Sequence, residues 1–273
     1  MDKLKLKSIV IDTISGLQIS NHVEAQKVRG KLKQDEWNDT GIDFTNLFFG
    51  LRDLGFTLVL IFGFEGRGKT YGIKSLNPSE YLWFNADGKP PTFRYDPKIP
   101  EQAEKGKEFS KWYGTITKPG PLMKVPTKTK RMSFDEILKQ VAMIKACVKT
   151  PNLEVCFDEN PIAFLIGHSF MMKGPDNELF ETLRVLGKVS TKFGPESTTT
   201  ITGIAEVNVQ NGKPVHELRI QTLGQDSARA PEGMFEGSHI PNSYQLIVDS
   251  IDEYYGHKAP STEEPSEPQS KQK

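Results

Sequence analysis

The 273-residue chain has only two cysteines, carries no net charge and lacks any long apolar run. Lys and Arg together number 35, as do Asp and Glu, so no global field draws the protein to nucleic acid or to a membrane surface. No run could cross a bilayer, and the apolar stretch near the N-terminus is short and interrupted by Asp12, unlike a secretory signal. These absences predict a cytoplasmic protein with no membrane association.

The cysteines, Cys147 and Cys156, form no CxxC pair and have no histidine cluster nearby. Structural zinc sites need thiolates and imidazoles at close, recurring spacings, so a zinc site is not expected. In a cytosolic protein the ordinary state of such a pair is the reduced thiol. We therefore expect two buried, reduced cysteines.

Continuous apolar runs, rather than alternating ones, mark the candidate strands. Strands covered on both faces give such runs, whereas half-exposed strands alternate. The runs in the first two thirds of the chain are Lys7–Asp12, Phe56–Gly63, Tyr81–Asn85, Leu153–Asp158 and Ile162–His168. Helical periodicity at 44–54, and after a capping box at Ser133–Glu136, separates some of these runs. The alternation predicts an α/β fold with a mostly parallel, doubly wound sheet.

The remaining segments complete a single domain predicted to span residues 1–255. Residues 88–131, rich in Lys, Pro, Gly and Thr, predict an irregular insertion that could contain a hairpin. In 197–255, alternating segments flank Asn211-Gly212, which indicates a β-hairpin, and a helix follows from about Ser243. The tail 256–273 has almost no apolar residues and is predicted to be disordered.

The segment Gly-Phe-Glu-Gly-Arg-Gly-Lys-Thr matches the phosphate-binding motif GxxxxGK[ST] in full. It follows an apolar run and should open a helix, as the motif requires. Its glycines let backbone N–H groups turn toward phosphates, Lys69 would reach the β- and γ-phosphates, and the Thr70 hydroxyl would ligate Mg²⁺. The predicted nucleotide-binding residues are Gly63, Phe64, Glu65, Gly66, Arg67, Gly68, Lys69, Thr70 and Tyr71.

A phosphate loop of this kind needs a carboxylate at the end of a neighbouring strand to hold Mg²⁺ through water. Asp12 ends one apolar run, and Asp158-Glu159 ends another. Only two residues separate Asp158-Glu159 from the next run, although adjacent parallel strands need a crossover of a dozen or more residues. That spacing favours Asp12 and makes 153–158 a lead-in or an antiparallel piece. The acid would then precede the phosphate loop, as in a circularly permuted core, while Asp158-Glu159 in the ordinary order stays the alternative.

These pieces resemble the phage-type RecA-like P-loop ATPases (AAA-like, Sak4-type), and the resemblance covers most of the chain up to Tyr255. It is carried by GFEGRGKT, the following KSLNPSEYLWFNADGKPPTF, FDEIL, SIVIDTISGLQ, IAFLIGHS, DSARAPEGMF and IPNSYQLIVDSIDEYY. In that family a helix like 133–149 leads directly into the SIVID-type strand, which here stands at the N-terminus. This departure supports the permuted order.

The resemblance implies a homo-oligomer that binds ATP with Mg²⁺, hydrolyses ATP, and acts in phage DNA recombination or single-strand annealing in the host cytoplasm. By position, it makes Asp12 the Mg²⁺-site acid and His168 a γ-phosphate sensor. It also makes Asp87 the water-activating carboxylate, with Glu65 as a further candidate base. Lys188 is a candidate phosphate contact, and Arg229 is the only, and weak, candidate for the family's activating arginine.

Basic stretches at Lys3–Lys7, Lys27–Lys33 and Lys124–Arg131 could contact nucleic-acid phosphates, although a stretch of this kind is more often a solvated face. The third lies near Trp112 and Tyr113, and basic residues beside aromatic ones suit single-stranded DNA. The alternative function is a nucleotide-gated interaction module with little or no hydrolysis. A metabolic kinase is disfavoured by the lack of an arginine-rich lid, and guanine specificity by the lack of an [NT]KxD sequence.

Overall fold

A computed structural model describes residues 2–15, 17, 34–126, 132–149, 153–173, 177–184 and 194–256. The strands are β1 (Asp2–Asp12), β2 (Thr57–Gly63), β3 (Tyr81–Asn85), β4 (Met123–Lys124), β5 (Val148–Lys149), β6 (Leu153–Lys173), β7 (Leu179–Leu183), β8 (Ile201–Gln210), β9 (Lys213–Arg219) and β10 (His239–Pro241). The helices with described bounds are α1 (Gln34–Asp53), α2 (Pro100–Tyr113), α3 (Phe134–Lys145) and α4 (Tyr244–Tyr254), with 3₁₀ segments at Lys69–Ser75 and Pro195–Thr198. Within these ranges no helix has the length and apolar character that crossing a membrane requires.

The strands form one mixed sheet in the order β10-β9-β8-β2-β6-β1-β3-β4, with β5 and β7 also paired to β6. Every pairing from β8 across to β4 is parallel, whereas β9, β10, β5 and β7 pair antiparallel with their neighbours. The expected α/β fold with a mostly parallel sheet is therefore confirmed. The N-terminal strand β1 lies inside the sheet, between β6 and β3.

Both faces of the central strands are covered, because consecutive residues are buried along them. In β2 all residues from Leu58 to Gly63 are buried, and all of β3 is buried as well. The Phe164 ring of β6 stacks on Tyr244 of α4, with ring centroids 4.6 Å apart. Each fully buried aliphatic or aromatic side chain contributes about 1.5–3 kcal/mol, which makes this sheet the dominant stabilising element.

The start of α3 and the turn between β8 and β9 lie where the sequence predicts them. The Ser133 hydroxyl accepts a hydrogen bond from the Glu136 N–H at 3.2 Å, so α3 begins at the predicted capping box. Asn211 and Gly212 have φ of 51° and 75°, in the left-handed region that a two-residue hairpin turn requires. The hairpin β8–β9 and the final helix α4 are thus confirmed.

Residues 153–158 and 162–168 are not separate runs, because both belong to the single 21-residue strand β6. Leu6 of β1 pairs with Phe157, and Ser8 pairs with Ile162, so four residues of β6 lie opposite Lys7 alone. A bulge of this kind absorbs extra residues without ending the pairing. Residues 153–158 therefore lead into the rest of β6, as one of the two predicted alternatives had it. The other alternative, an antiparallel piece, is wrong, since 153–157 pairs parallel to β1.

The segment 88–131 contains the 14-residue helix α2 and is not the irregular insertion that its composition predicted. Phe109, Trp112 and Tyr113 are buried on that helix, and the Tyr113 hydroxyl donates a hydrogen bond to the Tyr81 carbonyl at 2.6 Å. Their i, i+3, i+4 spacing was the overlooked helical signal. The predicted stacking of DNA bases on Trp112 and Tyr113 is wrong, because both rings belong to the core.

Lys124 is half-buried, and its ammonium donates a hydrogen bond to the Pro121 carbonyl at 3.2 Å. The rest of the basic stretch, 127–131, lies outside the described residues, as do Lys27–Lys33, Lys188 and the tail from residue 257. Lys3, Lys5 and Lys7 form ion pairs with Glu154, Asp158 and Glu80. The N-terminal basic stretch is therefore largely neutralised within the protein.

Cys147 and Cys156 form a disulfide, with their Cα atoms 4.4 Å apart. The short strand β5 pairs antiparallel with the start of β6, with Val148 opposite Val155, and this register brings the two cysteines together. The expectation of two reduced thiols is wrong, because a tertiary pairing that the spacing did not reveal juxtaposes them.

Candidate functional site

Four adjacent parallel strands place polar groups along one edge of the sheet, where β2, β1 and β3 end and β6 continues to Lys173. Gly63 at the end of β2 lies beside His168 of β6, while Asp12 at the end of β1 lies beside Asn85 of β3. In open α/β sheets ligands bind outside the carboxyl ends of the strands. Three of the predicted site residues, Asp12, Gly63 and His168, therefore lie where a ligand site is expected.

A cleft of about 450 Å³ opens at this edge. Pockets of small-molecule size typically have about 300–1,000 Å³. The cleft is lined by Asp12, Thr13, Glu65, Gly66, Gly68, Lys69, Thr70, Tyr71, Trp83, Asn85, Asp87, Lys89, Pro90, Thr92, His168 and His216.

The loop that forms one wall of the cleft needs glycine at two positions. Gly66 and Gly68 have φ of 77° and 78°, a region that residues with a Cβ rarely adopt. A Cβ on Gly68 would also stand 2.3 Å from His216 Nδ1. These glycines hold the loop backbone in a turn that side chains would prevent.

The helix expected after the loop is only a seven-residue 3₁₀ segment, Lys69–Ser75. Leu76 is already extended, and Asn77 precedes Pro78, a position that disfavours helical backbone. A long helix and its dipole are therefore absent from this part of the described chain. Positive charge at the loop comes from two side chains: Lys69 lines the cleft, whereas Arg67 is exposed on the loop and does not line it.

Lys69 is buried beneath the loop, with 7% of its surface exposed. Its ammonium donates hydrogen bonds to the carbonyls of Gly63 at 2.8 Å and Phe64 at 2.9 Å. Burial lowers the pKa of Lys69 to about 8, although nearby Asp12 favours the charged form. Lys69 is thus mostly protonated at neutral pH. Its side chain lines the cleft, and a ligand could replace the two carbonyls as its hydrogen-bond acceptor.

Asp12 and Thr70 face each other at the base of the cleft. The Thr70 hydroxyl donates a hydrogen bond to Asp12 Oδ2 at 3.2 Å. Asp12 Oδ1 is buried and has no hydrogen-bond partner among the described residues. Burial raises the pKa of Asp12 to about 6, with a smaller contribution from Asp87, while the Thr70 bond and Lys69 oppose the rise.

This pair fits a hard divalent cation, because a buried carboxylate oxygen without a partner stands beside a hydroxyl oxygen. No group of three or more His, Cys, Asp or Glu side chains suited to a metal occurs in the described parts of the chain. Mg²⁺ does not need such a cage, since it usually takes one or two protein oxygens and completes its shell with phosphates and water. The residues present therefore fit Mg²⁺ bound together with a phosphate ligand.

Asp158 lies toward the other end of the sheet, where its Oδ1 is 3.6 Å from Lys5 Nζ. It lines a smaller cavity of about 110 Å³ together with Glu159 and Asp252. Phe157 pairs with Leu6, six residues before Asp12 on β1, and this is a distance of about 20 Å along the strand. Of the two acids, only Asp12 is near Thr70.

Two further predicted residues line the cleft. Asp87 accepts hydrogen bonds from the Thr13 hydroxyl at 3.3 Å and from the Lys89 ammonium at 3.1 Å. His168 is half-buried, and its Nδ1 has no hydrogen-bond partner within the described chain. Burial, and then the charge of Lys69, lower the pKa of His168, so its ring is neutral at neutral pH.

Of two further sequence candidates, Glu65 and Arg229, only the first lies at the cleft. Glu65 lines the cleft. Arg229 does not line it, and its guanidinium donates hydrogen bonds to the carbonyls of Glu196 and Thr199. Arg229 therefore supports the protein's own backbone instead of meeting a ligand in the same subunit.

Sequence reasoning missed the C-terminal residues that contact the phosphate loop. The Asn242 amide donates a hydrogen bond to the Gly68 carbonyl at 2.8 Å, and the Tyr244 hydroxyl donates one to the Lys69 carbonyl at 2.6 Å. His216 of β9 lines the cleft. These residues are far from the loop in the chain, and no local pattern connects them with it. The sequence indicated only the hairpin around Asn211-Gly212 and the helix from about Ser243.

In comparisons with known proteins, no family model, no curated protein and no solved structure matches the chain. Function is therefore inferred from the cleft itself, whose features are a glycine loop, a buried lysine, and a carboxylate and hydroxyl pair that fits Mg²⁺.

Proposed function

We propose that the chain binds ATP with Mg²⁺ in this cleft and hydrolyses it, using a RecA-like core in circularly permuted order. The observation that carries the proposal is the Thr70–Asp12 contact of 3.2 Å, directly behind a complete GxxxxGK[ST] loop. A chance glycine-rich turn would have no reason to place its threonine against a buried, partly unpaired carboxylate.

The loop residues that line the cleft have different parts in binding. Backbone N–H groups around Gly66 and Gly68 surround the phosphates, and the Lys69 ammonium exchanges its contacts with the Gly63 and Phe64 carbonyls for the β- and γ-phosphates. The Thr70 hydroxyl and the Asp12 carboxylate, the latter through water, would hold Mg²⁺. Bound Mg²⁺ would supply neutralisation of the charge on the phosphates.

Hydrolysis also needs a group that takes a proton from water. Asp87 is our candidate base, because it lines the cleft beside Asp12 and its carboxylate is oriented by Thr13 and Lys89. His168 is our candidate sensor of the γ-phosphate, because its ring is neutral and its Nδ1 is free to form one hydrogen bond. Glu65, on the loop itself, is the second candidate base.

The position of β1 supports the permuted order. This strand begins the chain yet lies between β6 and β3, and its carboxyl end carries Asp12. Helix α3, which in the resembled family leads into such a strand, here precedes β5 and β6. Asp12 therefore takes the place of the Mg²⁺-site acid although it precedes the loop.

The test is ATP turnover by the purified chain with and without Mg²⁺, comparing wild type with Lys69→Ala. We expect Mg²⁺-dependent phosphate release that the substitution abolishes. Turnover that persists in the variant would place the activity elsewhere. A protein that neither binds nor hydrolyses ATP would contradict the proposal outright.

The second candidate, a nucleotide-gated module that binds ATP with little hydrolysis, is favoured by one observation. None of the described residues that line the cleft is an arginine, so the charge that speeds hydrolysis in related machines is not supplied there. Tight Mg²⁺-dependent ATP binding without turnover, also when single-stranded DNA is added, would select this candidate. DNA-stimulated turnover and a sedimentation mass above that of the monomer would instead support an oligomeric enzyme acting in DNA recombination or annealing.

A further inference from the structure

The cleft has two chemically different ends, and the strand order separates them. Asp12 ends β1, two strands from the loop strand β2, while His216 lies on β9, two strands from β2 on the other side. The Mg²⁺-binding pair and the candidate base Asp87 are on the β1 side, which therefore takes the terminal phosphate. A nucleoside triphosphate lying across the loop must direct its base toward β9.

Tyr71 and His216 form the surface of the cleft on that side. Their rings are stacked with centroids 4.6 Å apart and planes 24° from parallel. The Tyr71 N–H donates a hydrogen bond to the Gly68 carbonyl at 2.8 Å, and the His216 ring lies against Gly68 so closely that a Cβ there would clash. The pair is thus held rigidly to the phosphate loop.

Of Tyr71 and Trp83, the tyrosine and tryptophan that line the described cleft, Tyr71 has a substantial free surface. It is 37% exposed, whereas Trp83 is 1% exposed, with its ring inside the core. Lys74 Nζ lies 5.9 Å from the Tyr71 ring centroid, at the outer limit of a cation–π contact, so a base can displace it at little cost. A planar group that enters from the loop meets the Tyr71 ring.

We propose that the stacked pair Tyr71–His216 is the nucleobase platform of the cleft; this inference rests on the proposed triphosphate site. Flat aromatic faces accept every base through stacking and provide no pattern of donors and acceptors at a base edge. Larger rings bury more area, so the platform prefers purines to pyrimidines. ATP and GTP should bind with similar affinity, and both more tightly than UTP or CTP.

The experiment measures the Mg²⁺-dependent affinity of two probes, ATP and inorganic tripolyphosphate, which has no base. Wild type is compared with Tyr71→Ser, which removes the ring, and with Tyr71→Phe, which retains it. Tyr254→Ser is the matched control, because Tyr254 is exposed at 45% on α4 and does not line the cleft. All variants are checked for folding by their thermal transitions.

We expect Tyr71→Ser to weaken ATP binding about 5- to 150-fold while tripolyphosphate affinity stays within about twofold. Tyr71→Phe should restore ATP affinity to near that of wild type. Equal weakening of both probes, or no change in ATP affinity, would overturn the platform and leave the triphosphate site intact. Failure of wild type to bind either probe would instead remove the proposed function and the platform with it.

Discussion

The two ends of the same parallel strands carry similar charges in opposite settings. At the carboxyl end, Asp12 is buried, retains one unpaired oxygen, and faces Thr70 and Lys69. Toward the amino end, Asp158 is partly exposed and forms an ion pair with the exposed Lys5. An exposed pair contributes at most about 1 kcal/mol, whereas a buried carboxylate without a full set of partners costs stability. This difference is expected if the first end binds a ligand, as we propose, while the second is only solvated.

Replacing the lysine at each end should give the largest contrast. Lys69→Ala removes a buried ammonium that we place on the β- and γ-phosphates, so ATP affinity should fall at least about 100-fold. Lys5→Ala removes an exposed partner of Asp158 and should leave ATP affinity within about twofold. Calorimetric titration with MgATP measures both, and equal losses would remove the distinction between the two ends.

The buried acid should make the free protein less stable above the pKa of its carboxyl group. Its folded-state pKa is about 6 against 3.8 in an exposed chain, so the charged form is penalised above pH 6 and the penalty disappears below about pH 4. Asp12→Asn should therefore raise the free energy of unfolding at pH 7 by up to about 3 kcal/mol, without ATP or Mg²⁺.

The measurement is urea unfolding of wild type and Asp12→Asn at pH 4 and pH 7. The stabilisation should be present at pH 7 and absent at pH 4. Asp158→Asn, at the solvated end, should change stability by less than about 0.5 kcal/mol at either pH. A loss of stability in Asp12→Asn at pH 7 would show that Asp12 is a structural ion and not a strained binding group.

Asp12→Asn and Asp158→Asn should also differ in ATP turnover. There we expect Asp12→Asn to cause a loss, whereas in stability at pH 7 we expect it to cause a gain. Asp12→Asn removes a carboxylate that we propose to act on Mg²⁺ through water, and such outer ligands typically contribute about 10- to 100-fold. Asp158→Asn should keep wild-type turnover. Phosphate release at saturating ATP and varied Mg²⁺ tests this pair, and a comparable loss in Asp158→Asn would restore it as the acid.

The smallest expected effect is on stability and concerns α4. Its first residue, Tyr244, contacts the phosphate loop, while Asp252 near its other end lines the cavity beside Asp158. Tyr244→Phe removes the hydrogen bond to the Lys69 carbonyl and should cost about 1 kcal/mol in the free energy of unfolding. Tyr254→Phe, at the exposed end of α4, should cost less than about 0.5 kcal/mol. Thermal unfolding of both variants compares them, and an equal effect would show that α4 supports the loop no more than it supports the opposite end.

Sequence reasoning succeeded where the cause of a structure is local. The capping box at Ser133, the Asn211-Gly212 turn and the glycine pattern of the loop each involve residues a few positions apart. The choice of Asp12 over Asp158 used chain connectivity, and the structure places Asp12 beside Thr70. Its reason was partly wrong, because 153–158 is a parallel continuation of β6 across a bulge.

The sequence by itself determined an α/β chain with a glycine loop after a buried strand. Both features depend on residues that are close in the chain: the spacing of apolar residues and the backbone freedom of glycine. Only the tertiary structure decided which acid reaches Thr70 and that Cys147 joins Cys156. It alone brought Tyr71 and His216 together. These contacts connect residues separated by many positions, and strand order and register, which set them, depend on the packing of the whole sheet.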